Sequence, residues 1–244
     1  MSIYDLKPKF QNLLRPTVVK LERKGVTANQ VTLAACGISV ILGVFLTALS
    51  AVHWLFILIP IWLFVRMALN AIDGMLAREF QQKSRLGGYL NEITDVVSDA
   101  ALYLPFAFIA PFDPLVIGLI IWLAALTEFC GVLGQVQGQT RRYDGPLGKS
   151  DRAFLFGLLG LIYTFMPILP TWFYALAWLV VALLILTCVK RVKSGLVEGK
   201  ALDQNIENKP DEEQAEDRAD NESAVQFSAE NATQQKSEEN ENAR

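Results

Sequence analysis

Residues 54 to 78 read WLFILIPIWLFVRMALNAIDGMLAR. The run opens with apolar side chains only, and then Arg66, Asn70 and Asp73 enter at spacings of four and three. At roughly 100° per residue these three and Ala77 share one narrow stripe of a helix. An apolar helix of this length crosses a hydrocarbon layer about 30 Å thick. The polar stripe, confined to its second half, has to face other helices, because lipid cannot solvate it.

The same apolar pattern recurs over residues 30–52, 88–111, 114–137, 153–170 and 171–189, which together with 54–77 makes six spans. Pro167, Pro170 and Thr171 mark a tight turn between the last two. Composition over the whole chain, 52% hydrophobic with a net charge of −3, hides this division. Up to Val197 there are 17 Lys and Arg against 11 Asp and Glu, whereas the last 47 residues hold 5 against 14. A basic body with long uncharged runs excludes a soluble fold, and no nucleic-acid site is expected. Cys36, Cys130 and Cys188 each lie inside an apolar run and show neither zinc spacing nor a disulfide framework.

Ahead of the first span, residues 3–24 place Ile3, Leu6, Phe10, Leu13, Leu14, Val18 and Leu21 at helical spacing, with lysines and arginines around the other face. This is the pattern of a basic amphipathic helix on an anionic membrane surface. The N-terminus lacks the apolar core and small-residue cleavage site of a signal peptide. Lys and Arg also crowd 78–86, 138–152 and 190–193, while the alternate loops near 51–54, 112–114 and 166–171 have none. The positive-inside rule then puts both termini in the cytoplasm. His53 falls at the outer end of the first hairpin, as an interfacial residue. From Glu198 on, acidic and amide residues dominate and the segment is too polar to form a core. The expected organisation is an amphipathic helix over 1–28, a six-helix membrane domain over 29–195 and a disordered acidic tail over 196–244.

The third span begins Gly87-Gly-Tyr-Leu-Asn91-Glu92-Ile-Thr-Asp95-Val-Val-Ser-Asp99, with Asn91, Glu92, Asp95 and Asp99 on one face. A short loop joins it to the second span, so the two polar faces come within reach of each other. At about 1.5 Å per residue, Asp73 and Asn91 sit near the cytoplasmic end and Asn70 is level with Asp95 slightly deeper. Carboxylate and amide oxygens are hard ligands suited to Mg²⁺ or Mn²⁺, and such a metal would hold phosphate. Gly74 and Ala77 would let a nucleotide approach the helix closely, and Arg78 could bind phosphate by charge-assisted bonds. Asp99 is either a further ligand or the partner of Arg66, and Glu128 is the alternative partner.

The run Asn70-x2-Asp73-Gly74-x2-Ala77-Arg78-x8-Gly87-x3-Asn91-x3-Asp95 resembles the signature D-x2-D-G-x2-A-R-x8-G-x3-D-x3-D of the CDP-alcohol phosphatidyltransferase family. Thr27-x-Asn29-x2-Thr32 at the start of the first span is similar to that family too, and the resemblance covers about residues 1–195. It implies a metal-dependent enzyme of the bacterial inner membrane, often a homodimer, with its site on the cytoplasmic side. Such an enzyme moves a phosphatidyl group from CDP-diacylglycerol to an alcohol and releases CMP. Carried over by position, Asp73, Asp95, Asn70 and Asn91 would be metal ligands and Asp95 also the general base. Gly74, Ala77, Arg78, Gly87, Asn29 and Thr32 would surround the nucleotide. The loop Arg141 to Arg152 resembles a loop of the family that shapes the acceptor pocket, and Lys149 and Arg152 there suggest an acceptor bearing phosphate.

The family's first and third aspartates are Asn70 and Asn91 here, so each position keeps an oxygen donor and loses a charge. That departure supports a second reading, a catalytically inactive paralogue that binds lipid or nucleotide or acts as a scaffold. A transporter is the third, disfavoured because the polar cluster opens to one side and no internal repeat is present.

Overall fold

The computed structural model describes residues 3–205, with side chains from residue 9 onward. Every regular element among the described residues is helical: α1 (Ile3–Arg23), α2 (Ala28–Ala48), α3 (Leu58–Glu79), α4 (Arg85–Tyr103), α5 (Pro114–Gln137), α6 (Lys149–Phe165) and α7 (Trp172–Asn205). Short 3-10 turns, His53–Ile57 and Leu104–Phe108, lead into α3 and out of α4.

Local chemistry sets the ends of these helices. Gly25, at φ +74°, turns the chain out of α1, and Thr27 opens α2 with a capping box closed by Gln30. Ser84 caps α4 by accepting from Gly87 N–H at 3.0 Å, and Asp151 accepts from Gly148 N–H at 2.9 Å to start α6. At the opposite end of the bundle, Asp113 accepts from Val116 N–H and from the Tyr174 hydroxyl, both at 2.9 Å. These bonds hold its carboxyl below the usual carboxylate range.

The molecule is apolar outside and charged inside. Ile41 is 70% exposed, and Ile61, Phe64, Trp122, Phe129 and Leu179 also face outward. Arg152 and Arg191 are each 1% exposed, and Arg66, Asp73, Asp95, Asp99 and Glu128 are buried as well. Water would favour the reverse arrangement, whereas a bilayer requires this one. Four helical stretches, Ala28–Ala48, His53–Glu79, Pro114–Gln137 and Trp172–Asn205, are long and apolar enough to cross a membrane. Of the six expected spans, the other two fall to α4 and α6. α4 carries Asn91, Glu92, Asp95 and Asp99, and α6 has 17 residues and opens on Lys149, Asp151 and Arg152.

One core is aromatic and lies away from the polar end: Tyr103 stacks on Phe156 with centroids 3.8 Å apart, and Phe56 meets Phe106 and Tyr163 edge-on. His53 sits beside it, its ring donating to the Thr164 carbonyl at 2.9 Å. A second cluster, Val18, Ala28, Val31, Ile72, Met75 and Leu76, packs α1 across α2 and α3. α2 and α4 approach at Gly43, where a Cβ would stand 2.2 Å from the Ala101 carbonyl oxygen.

α7 runs ten residues past the expected boundary at 195, because its last turns are tied to the loop after α5. Glu198 accepts from the Thr140 hydroxyl at 2.7 Å and pairs with Arg142 at 3.0 Å. Residues 196–205 of the expected tail are therefore helical, and 206–244 lie outside the described residues. The three cysteines are free thiols.

Candidate active site

The site forms where α2, α4 and α6 begin and α3 ends. Thr32, one turn into α2, donates its hydroxyl to Asp73 Oδ2 at 2.7 Å and so joins α2 to α3. Asp73 is also close enough to Asp95 and Lys149 to sense both charges. Asp95 is held from two sides: Arg66 of α3 bonds Oδ1 at 3.1 Å, and Lys149 of α6 pairs with Oδ2. Four helices thus meet on two carboxylates.

Small residues at the rim have steric causes. A Cβ at Gly87 would lie 2.9 Å from Asn29 Oδ1 and 3.1 Å from Ser84 Oγ, so glycine lets the start of α4 rest on Asn29. A Cβ at Gly74 would lie 3.0 Å from Arg78 Nη2, because the Arg78 guanidinium folds back over that bare backbone. Ala77 is turned toward the α1 cluster and packs there, so its small size serves helix packing. Asn70 lines a groove between α3 and α6 together with Arg66 and Lys149. Asn91 is half-buried on α4, one turn before Asp95.

Behind Asp95 the charges continue in strict alternation. Arg66 Nη1 bonds Asp99 at 2.6 Å, and the other oxygen of Asp99 takes Arg152 Nη2 at 3.2 Å. Arg152 also bonds Glu128 at 2.9 Å, and Glu128 receives Arg141 at 2.8 Å. Arg141 then pairs with Glu92, back on α4. Asp99 is therefore the ion-pair partner of Arg66, and Glu128 belongs to Arg152 and Arg141. Arg152 has a structural seat: its guanidinium meets Asp99, Glu128 and Thr127 and is closed off from outside. Burying so many charges costs several kcal/mol per ion unless they are paired, and each charged group here meets at least one opposite charge, while Glu92 Oε2, Arg141 Nε and Arg152 Nε make no hydrogen bond.

The loop 138–148 is strapped down to complete the network. Arg142 N–H donates to the Gly131 carbonyl at 3.0 Å, and a Cβ at Gly134 would strike the Arg142 side chain at 2.6 Å. Gly145, at φ +119°, passes so close to Thr187 that a Cβ would lie 2.5 Å from its methyl. Arg191 of α7 seals the far side, donating to the Asp144 carbonyl at 3.2 Å and standing 3.6 Å from Glu128. Sequence reasoning took Arg191 for a topology signal. Its spacing from Leu184 and Thr187, both buried, is the helical-face cue that marks it as interior.

No group of three or more His, Cys, Asp or Glu is gathered for a metal among the described residues. The candidate oxygens are those expected from the sequence, the carboxylates of Asp73 and Asp95 and the amides of Asn70 and Asn91. Their chemistry fits one hard divalent cation, at a site with half the negative charge that four carboxylates would supply.

A family model described as CDP-alcohol phosphatidyltransferase matches residues 25–189, which takes in every residue of this site except Arg191. The chain is 49% identical over 198 residues to the inner membrane protein YnbA of Escherichia coli (strain K12), covering 81% of this chain and 98% of that one. It is 26% identical over 208 residues to the phosphatidylinositol phosphate synthase of Mycobacterium tuberculosis (strain ATCC 25618 / H37Rv), covering 80% and 91%. Crystal structures of the Mycobacterium tuberculosis phosphatidylinositol phosphate synthase share the fold. The one with manganese and citrate gives a TM-score of 0.61 at 20% identity over 74% of this chain and 88% of that one. The one with CDP-DAG bound gives 0.62 at 22% identity over 74% and 92%. The motif from Asn70 to Asp95, its position at one end of the helical bundle and the family match agree, and the chain belongs to the CDP-alcohol phosphatidyltransferase family.

Proposed function

We propose that this protein transfers a phosphatidyl group from CDP-diacylglycerol to an alcohol hydroxyl, with release of CMP, on the cytoplasmic side of a bacterial inner membrane. The observation that carries the reading is the position of Asp95, set between Arg66 and Lys149 beside the Thr32–Asp73 pair. Its partners Arg66 and Lys149 line the polar end of a groove of about 590 Å³ between α3 and α6. Leu63, Phe64, Phe154 and Leu161 wall that groove, which suits it to an acyl chain whose headgroup lies at Asn70 and Lys149. The six helices after α1 serve as spans, with α1 along the interface.

Asp73, Asp95, Asn70 and Asn91 would hold a divalent cation, which when bound supplies charge neutralisation at the diphosphate. The chain's own groups do the rest. Arg78 and Lys149 hold phosphate oxygens, and the nucleotide lies beside Arg78, Asn29 and Thr32, the first two being the side chains that rest on Gly74 and Gly87. Lys149 sits on a flexible stem, so it can exchange Asp95 for phosphate and leave Oδ2 open to the acceptor hydroxyl. Asp95 takes that proton as the hydroxyl oxygen attacks the phosphatidyl phosphorus. The bond from that phosphorus to the CMP oxygen breaks, and CMP leaves with the electron pair. Arg66 keeps Asp95 in register through the exchange, since it also bonds the Asp95 carbonyl at 3.2 Å.

The test is CMP release by purified protein given CDP-diacylglycerol, Mn²⁺ or Mg²⁺ and a panel of alcohols. Acceptor-dependent release that is lost in Asp95→Asn supports the reading. Release that survives in that variant overturns Asp95 as the base.

A further inference from the structure

Resting on the transferase reading, we propose that Glu198 is a positioning residue for the acceptor side of the site, acting through Thr140 and Arg142 to aim Arg141 at Glu92 and Glu128. Glu198 lies beyond the stretch 25–189 that the family model matches. The second half of α7 presents Thr187, Arg191, Ser194 and Glu198 at spacings of four, three and four, which is one face of a helix. The loop before α6 runs along that face in the opposite direction. Leu147 N–H donates to the Thr187 hydroxyl at 3.2 Å, Arg191 Nε to the Asp144 carbonyl at 3.2 Å, and Arg142 Nη2 to the Ser194 carbonyl at 3.0 Å. Glu198 makes the last contact, accepting from the Thr140 hydroxyl at 2.7 Å and facing Arg142 at 3.0 Å. α7 is thus a template along which the loop is laid.

The two residues that Glu198 holds stand on either side of Arg141. Side chains alternate along this stretch as they do in an extended chain. Thr140 and Arg142 meet Glu198, whereas Arg141 and Tyr143 meet each other, the Tyr143 ring lying 5.0 Å from the Arg141 guanidinium carbon. Tying down 140 and 142 therefore fixes the direction in which 141 leaves the chain. Arg141 goes on to pair with Glu92 and to reach Glu128 at 2.8 Å. Glu92 precedes Asp95 by three residues on α4, so the two carboxylates share a face. Neither Arg141 nor Glu92 lines the groove between α3 and α6, which separates this flank of Asp95 from the lipid side. Arg141 Nε is buried and has no hydrogen-bond partner among the described residues, so the side chain that Glu198 aims still has a donor for an acceptor oxygen. Gly138 makes the clamp possible, since a Cβ there would collide with the Glu198 carboxylate.

Two measurements on the full-length protein in detergent read the loop and the chemistry separately. Hydrogen exchange followed by mass spectrometry is expected to show the loop amides after α5 exchanging at least about threefold faster in Glu198→Ala and in Thr140→Val than in wild type, the weight of one lost hydrogen bond. Unchanged exchange in both variants overturns the clamp. CMP release from CDP-diacylglycerol is then measured with the alcohol that the wild type uses. Glu198→Ala is expected to raise KM for that alcohol at least about threefold while KM for CDP-diacylglycerol stays within error, a split that a general loss of folded protein would not produce. The same substitution made in Arg141→Ala is expected to add nothing further, because Glu198 acts through Arg141. An unaltered KM for the alcohol, or a full further loss in the Arg141→Ala background, overturns the positioning role. CMP release with no alcohol removes the transferase reading and the acceptor role with it, while the exchange measurement still decides whether Glu198 holds the loop.

Discussion

Arg66 Nη1 stands 2.6 Å from Asp99 Oδ1 while its Nη2 reaches Asp95 one turn away, so one buried guanidinium spans both Asp95, the proposed base, and Asp99. The bridge joins α3 to α4 and sets the height of Asp95 relative to Asp73. Removing Arg66 would leave two carboxylates short of a partner in a dry interior.

Arg66→Ala is accordingly expected to lower stability by about 3–5 kcal/mol, the usual cost of breaking a buried pair by deleting one partner. Thermal unfolding in detergent reads this out. A midpoint within error of wild type would show that Asp99 and Asp95 do not depend on Arg66.

Metal affinity should respond to charge at two positions. Asn70→Asp and Asn91→Asp each restore a carboxylate to the proposed ligand set of Asp73, Asp95, Asn70 and Asn91. Each is expected to tighten Mn²⁺ binding by about tenfold, since affinity of oxygen sites rises with ligand charge. Titration followed by the electron paramagnetic resonance signal of free Mn²⁺ would check it. Unchanged affinity in both variants would place the cation elsewhere.

Close packing of α2 on α4 at Gly43 carries the geometry of the site, because Thr32 and Asp95 ride on those helices. Gly43→Ala drives a methyl into the Ala101 carbonyl and should cost about 1–3 kcal/mol as overpacking. Activity should fall with it, as the Thr32–Asp73 bond is pulled apart. Equal stability and activity in that variant would mean that the helices part without consequence.

A pH dependence follows from Asp113. Its carboxyl is held below the usual range by Val116 N–H and the Tyr174 hydroxyl. The stabilisation it gives is therefore fully present above the unfolded value of about 3.9 and is lost as pH falls through the lower folded value. Asp113→Ala should unfold at a lower temperature than wild type at pH 7, with the gap closing in acid. A gap that stays constant from pH 7 to pH 3 would contradict this assignment.

Much of the fold was legible because its cause is local. The apolar runs and the polar stripe from Arg66 to Asp73 each announce themselves over a few residues. Asn29 and Thr32 were brought to the site only by the family resemblance, and their contacts with Gly87 and Asp73 appear only in the folded chain. Arg141, Arg152 and Arg191 were harder to place. A cation at the end of an apolar run looks the same whether it meets headgroups, substrate or a carboxylate 50 residues away. Only the fold of loop 138–148 back over α5 brings Arg141 to Glu128 and Glu92, and that folding rests on Gly131, Gly134 and Gly145 in long-range contacts. The end of α7 was misjudged for a related reason: Glu198 has the composition of the tail, and its partners Thr140 and Arg142 lie elsewhere in the chain.

The most direct measurement is the fate of the phosphatidyl group itself, followed by mass spectrometry in liposomes containing CDP-diacylglycerol, Mn²⁺ and an alcohol. The expected result is one acceptor-linked phospholipid formed for each CMP released by the wild type, and neither product from Asp95→Asn. CMP formed with phosphatidic acid alone, or no product with any alcohol while CDP-diacylglycerol remains bound, would contradict phosphatidyl transfer to an alcohol.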